Sequence, residues 1–138
     1  MQKNKTDRLV LDTNVFLSFY LSGKFARLTQ LPFRYSILIY TCNELNDELW
    51  RNLNDKKIKK HLKDSPENVL EMIQKITLNT TIDLRFDRAA DLKDNFLFDL
   101  AYSVKAYYLV TYEKALLNMK QVNGVRIIAR EELFRVLQ

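Results

Sequence analysis

Four short apolar runs, each bounded by polar residues, constrain this chain more than any other feature: residues 8–12 (RLVLD), 35–40 (YSILIY), 107–111 (YYLVT) and 125–129 (VRIIA). Their length suits strands, and near-continuous apolarity suits strands buried on both faces, as in a parallel sheet. Between them lie stretches with helical spacing, over 15–31, 43–53, a lysine-rich piece to about 62, 66–78 and 95–105. Strands alternating with helices predict an α/β fold. The clearest helix follows Asp94, where Phe96, Leu97, Leu100, Ala101 and Val104 make one apolar stripe at steps of three and four. Pro66 stands where a helix opens, and residues 131–137 read as a short terminal helix. The chain has no repeat or linker, and 138 residues with 47% hydrophobic content suit one core, so a single domain over 1–138 is expected.

Composition removes several kinds of chemistry. Gly23 and Gly124 are the only glycines, and neither lies in a cluster that could cradle a pyrophosphate, which excludes a P-loop or dinucleotide fingerprint. His61 is the only histidine, so a His-rich zinc site or a Ser-His-Asp triad has almost no material. Hydrolysis in this chain must therefore run on carboxylates. Cys42 is alone and cannot form an internal disulfide, and the opening MQKNKTD lacks the apolar region of a secretory signal; the expected location is cytoplasmic. No apolar run approaches the ~20 residues that span a bilayer, so no membrane association is expected.

Several acids fall where such a fold places ligands. Asp12 ends the first expected strand, and Glu113 follows the 107–111 strand by two residues; both then lie at the carboxyl edge of the sheet, where open α/β sheets bind ligands. Read alone, Asp12 is equally an Asx-turn or a helix cap. Asp94 opens the clearest helix and is an N-cap on the simplest reading, which is compatible with metal binding. Asp99 reads alone as a solvated or polar-rimmed helix position. Glu48, in a helix whose buried side carries Leu45, Leu49 and Leu53, reads alone as a surface residue.

Four converging carboxylates would repel one another without a counter-charge. Such a cluster implies a divalent cation, and oxygen-only ligands point to Mg²⁺ or Mn²⁺. The chain carries 22 Lys and Arg against 17 Asp and Glu, a formal charge of +5. With four site acids set aside, 13 remain against 22 bases, so the rest of the surface is near +9. An acidic pit in a basic surface suits a nucleic-acid substrate. Lys56, Lys57, Lys59, Lys60, Lys63 and Arg51 are the densest basic patch, with Ile58 and Leu62 as its apolar underside; a solvated helix face is the better account of any one of those lysines taken alone.

These residues, in this order, resemble the PIN-domain family: Val-Leu-Asp12-Thr-Asn14-Val, Glu48-Leu in a helix, Asp91-x-x-Asp94-Asn-x-x-x-x-Leu-Ala, and Tyr-Leu-Val-Thr111-x-Glu113-Lys. The resemblance extends from about residue 8 to residue 137 and is greatest to toxin components of toxin–antitoxin systems, akin to the VapC ribonucleases. It implies a three-layer α/β/α sandwich around a mostly parallel five-stranded sheet, and Mg²⁺- or Mn²⁺-dependent cleavage of RNA. Asp12, Glu48, Asp94 and Glu113 match the metal-binding catalytic acids, Asp99 a position where a further acid is often seen, and Asn14 and Thr111 the supporting polar residues. The implied partners are an RNA substrate and a cognate antitoxin protein, with a homodimer left open. Two positions depart from the pattern: Tyr112-Glu113 stands for the usual Gly-Asp, and Ala115 for a second Asp. A longer acid and a residue less tolerant of positive φ than glycine imply a weaker site, and keep open a PIN-fold module that binds RNA or a partner with little turnover.

Two other enzyme classes fit less well. A haloacid-dehalogenase-type phosphatase needs a second Asp two positions after the first, where Asn14 stands, and a phosphorelay receiver needs an acidic pair near the first strand, where only Asp12 is found.

Overall fold

The computed structural model describes residues 8–82 and 95–136. Strand β1 (Arg8–Leu11) carries Leu9, Val10 and Leu11, none of them exposed. Successive strand residues face opposite sides, so both faces of the sheet are covered by helices, as the uninterrupted apolar run requires. The expected helix over 15–31 is two helices, α1 (Thr13–Leu21) and α2 (Phe25–Arg34). They part at Gly23, whose φ of 76° is a left-handed conformation that glycine adopts at little cost.

Strand β2 (Leu38–Thr41) leads into α3 (Asn43–Leu53), which buries Leu45, Leu49 and Leu53 as their spacing predicts. The lysine-rich piece forms only one turn, α4 (Lys56–Lys59); Asp55 caps its start, but no residue in it is buried, so no packing extends it. Helix α5 (Pro66–Lys75) starts with Pro66 in its first turn and Ser65 accepting from the Asn68 amide, and the two-residue strand β3 (Leu78–Asn79) follows. Then come α6 (Asn95–Ser103), β4 (Tyr108–Val110), α7 (Lys114–Met119), β5 (Gln121–Val122), β6 (Val125–Ile128) and α8 (Arg130–Val136).

The sheet order is β3-β2-β1-β4-β6-β5, parallel throughout except for the β5–β6 hairpin. Among the described residues it thus has six strands where five were expected. Both edge strands, β3 and β5, are two residues long, too short to show a hydrophobic pattern. Asn123 and Gly124, between β5 and β6, have φ of 51° and 87°; positive φ at both central residues is the signature of a tight type I′ hairpin. From β1 the chain first builds outward through β2 to β3 and later returns to place β4 on the other side of β1. The reversal leaves a crevice at the carboxyl ends of β1 and β4, the usual ligand position in such sheets. Among the described residues no helix is long and apolar enough to cross a membrane.

Candidate active site

Asp12 stands in that crevice. Its amide donates to the Val110 carbonyl at 2.9 Å, which extends the β1–β4 ladder by one bond and fixes the residue against β4. It is also the N-cap of α1: Oδ1 accepts from the Thr13 amide at 2.7 Å. The capping role anticipated for this residue is therefore real, and it orients the carboxylate rather than competing with a site. The other oxygen, Oδ2, accepts from Thr111 Oγ1 at 2.9 Å. Both threonines are buried, Thr13 at 1% and Thr111 at 0%, and Asp12 itself is 7% exposed.

Each threonine also reaches a second acid. Thr13 Oγ1 donates to Glu48 Oε1 at 2.6 Å, tying α3 to the start of α1, and Thr111 Oγ1 accepts from the Glu113 amide at 3.1 Å. Asp12, Glu48 and Glu113 are thus linked through Thr13 and Thr111. Glu48 is half-buried, not a free surface side chain, while Glu113 is exposed and its carboxylate makes no hydrogen bond among the described residues. Tyr112 does not adopt the positive φ open to glycine. The substitution has not forced a strained loop.

Burial pushes the Asp12 carboxyl above its ordinary value of 3.8, the bonds from Thr111 and Thr13 pull it back, and the negative charges of Glu48 and Glu113 add to the rise. Desolvation and like charge both disfavour the ionised form. The arrangement therefore keeps an acid where its charge is costly, a common mark of a functional site.

The remaining expected residues fall as follows. Asp99, on α6, is 2% exposed, so it is not the solvated helix position that its residue type alone allowed. Asn14 is exposed and takes no part in the hydrogen bonds just described. Asp94 lies outside the described residues. Among the described residues no three His, Cys, Asp or Glu side chains form a group able to hold a metal ion. The donor chemistry nevertheless fits a hard cation. Asp12, Glu48 and Glu113 offer only oxygen, and the two bonds on Asp12 leave lone pairs on both of its oxygens.

Thr13 is the residue that sequence reasoning missed. Its position directly after Asp12, in the first turn of a helix, was the available signal. Cysteine chemistry has no place here, since Cys42 is 1% exposed and burial pushes its thiol up to about 11. A roomy pocket of about 900 Å³ opens at the opposite, amino edge of the sheet between Lys105, Tyr107, Gly124 and Arg126. No carboxylate among the described residues lines it, so this cavity is separate from the acids at the carboxyl edge.

Compared with known families, residues 8–115 match the PIN domain, a span that holds all of the acids described above and most of the sheet. The chain is a PIN domain. No curated protein matches it. PIN domains are generally nucleases that use divalent metal ions, in keeping with acids gathered at the switch point of this sheet.

Proposed function

We propose that this PIN domain is a metal-dependent endoribonuclease that hydrolyses RNA phosphodiester bonds, that residues 1–138 act as one unit, and that it is the toxin of a toxin–antitoxin pair. One observation carries the reading: Asp12 is buried at the carboxyl ends of β1 and β4 with the charges of Glu48 and Glu113 beside it. Such an arrangement costs folding stability and favours a divalent cation. Asp12, Glu48 and Glu113, with Asp94 and Asp99 from the resemblance, are the residues that would hold Mg²⁺ or Mn²⁺. Bound there, the ion would acidify its water and offset charge on a phosphoryl oxygen.

The chain's own part is positional. Thr111 and Thr13 hold Asp12 in one orientation, and Thr13 steers Glu48. Glu113 stands exposed at the mouth, open to solvent and substrate. The exposed lysines 56, 57, 59, 60 and 63 supply the attraction for RNA. A cleavage assay on structured RNA with Mn²⁺ or Mg²⁺, comparing wild type with Asp12→Asn, tests the reading; equal activity in both, or none in either, counts against it.

A toxin must be blocked in the cell that makes it. An antitoxin segment that inserts a basic or apolar side chain among these acids would do so, and Phe33, 86% exposed, offers an apolar contact for it or for a homodimer. Co-expression with the neighbouring reading frame should give a stable complex and relieve growth inhibition. The carboxylate of Glu113, exposed and without a hydrogen bond among the described residues, favours a second reading, an RNA- or partner-binding module with weakened turnover. A chain that is harmless alone and copurifies with nothing would favour it over the toxin.

A further inference from the structure

Beside the acids lies a group of side chains that hydrolysis does not use. Tyr112 sits between Thr111 and Glu113, about 3.8 Å from each by Cα spacing, and is 38% exposed. Its hydroxyl is 2.9 Å from Ser18 Oγ, which also accepts from Arg130 Nη1. Arg130 opens α8 just beyond the carboxyl end of β6, on the same edge of the sheet as Asp12. Its guanidinium carbon lies 4.3 Å from the centroid of the Phe19 ring.

The aromatic support continues away from the edge. Phe19 meets Phe134 edge-to-face at 6.1 Å between centroids, and Arg27 lies 4.2 Å over the Phe134 ring. Phe134 follows Arg130 by four residues, about 6 Å along the helix. Two guanidiniums are therefore mounted on one aromatic pair, and among the described residues neither forms an ion pair. A guanidinium carries five donors in a planar fork, and Arg130 spends one of them on Ser18. With Ser18 accepting from Arg130, its own proton can go to Tyr112, which leaves the tyrosine O–H free to donate outward.

We propose that Tyr112, Ser18, Arg130 and Arg27 form a track for the RNA backbone, which grips phosphates of the strand beside the hydrolytic site; this rests on RNA being the substrate. The donors left on the track, guanidinium N–H groups and the tyrosine O–H, are the complement of an anionic phosphate oxygen. Stacking on Phe19 and Phe134 fixes the guanidinium planes before the ligand arrives, so less entropy is lost on binding. An arginine that only covered an aromatic ring would leave the salt dependence of RNA binding unchanged.

The test is binding of a labelled single-stranded RNA oligonucleotide in chelator, where no cleavage occurs, over a series of salt concentrations. Each lost phosphate contact should flatten the slope of log affinity against log salt by about 0.7. Arg130→Gln and Arg27→Gln should each show that change and the double variant about twice it. Arg130→Lys should keep the slope while binding more weakly, because it keeps the charge and loses the fork. Tyr112→Phe should weaken binding severalfold at an unchanged slope. Thermal melts of each variant verify folding. Slopes equal to wild type in folded Arg130→Gln and Arg27→Gln, or no RNA binding by the wild-type chain, would overturn the proposal. A folded protein that binds with these slopes yet never cleaves RNA in Mn²⁺ would leave the track standing and overturn the nuclease reading alone.

Discussion

Thr111 donates its hydroxyl to Asp12 across 99 positions of sequence, at 2.9 Å, and the same oxygen accepts from the amide of Glu113. One buried hydroxyl thus sets both the direction of the central carboxylate and the path of the backbone that carries the next acid. Thr111→Val keeps the shape and removes both functions. It should cost about 1–3 kcal/mol in denaturant unfolding, the range for a buried polar group deprived of its partner, and lower Mn²⁺ affinity by roughly 10–100-fold, as loss of a ligand's supporting bond does. Thr111→Ser should restore most of both.

Thr13 performs the matching task for Glu48 at 2.6 Å. Thr13→Val frees the glutamate but leaves the Asp12 cap intact, because the cap uses the Thr13 backbone amide. The expected outcome is weaker Mn²⁺ binding by isothermal titration, with a smaller loss of stability than in Thr111→Val.

The raised carboxyl of Asp12 fixes the sign of a pH effect. A group whose folded value lies above its unfolded one contributes most below the unfolded value, here about 3.8, and that contribution declines as pH rises through the folded value. At neutral pH in chelator the ionised Asp12 is therefore destabilising. Asp12→Asn should melt a few degrees higher than wild type under those conditions and show a flatter stability profile above pH 4. Added Mn²⁺ should raise the melting temperature of wild type and leave that of Asp12→Asn unmoved. An Asp12→Asn that melts lower than wild type in chelator would contradict this account.

Glu113 replaces the aspartate usual in the family, and its carboxylate is exposed with no hydrogen bond among the described residues. Glu113→Asp should bind Mn²⁺ at least as tightly as wild type, and Glu113→Gln more weakly. If Glu113→Gln titrates like wild type, Glu113 is not a ligand and at most four of the five proposed acids act.

Much of this arrangement is visible in the sequence because it rests on local pattern. Buried strands announce themselves as RLVLD and YYLVT, and the residue that ends each is at the carboxyl edge by construction, which brings Asp12, Thr111 and Glu113 together without a contact having to be guessed. Leu45, Leu49 and Leu53 likewise fix the buried face of α3, yet they cannot tell whether Glu48 points to solvent or to Thr13, since that depends on how α3 meets α1. The break at Gly23 needed one glycine to outweigh a helical period. Asn123-Gly124 between two valines is a strong local hairpin signal, and it accounts for the extra strand β5. Ser18, Tyr112 and Arg130 come from three distant segments, and no spacing rule connects them.

The central claim is that Asp12 anchors a metal site that cleaves RNA, and the most direct measurement is the Mn²⁺-dependent rate of RNA cleavage by wild type and by Asp12→Asn, purified alike. Removing a ligand should cost more than the roughly 10–100-fold expected for an outer supporting residue. The account predicts cleavage by wild type that chelator abolishes and Mn²⁺ restores, with at least about a 100-fold lower rate in Asp12→Asn at every Mn²⁺ concentration. Equal rates in the two proteins, or wild-type cleavage that persists in chelator, would contradict it.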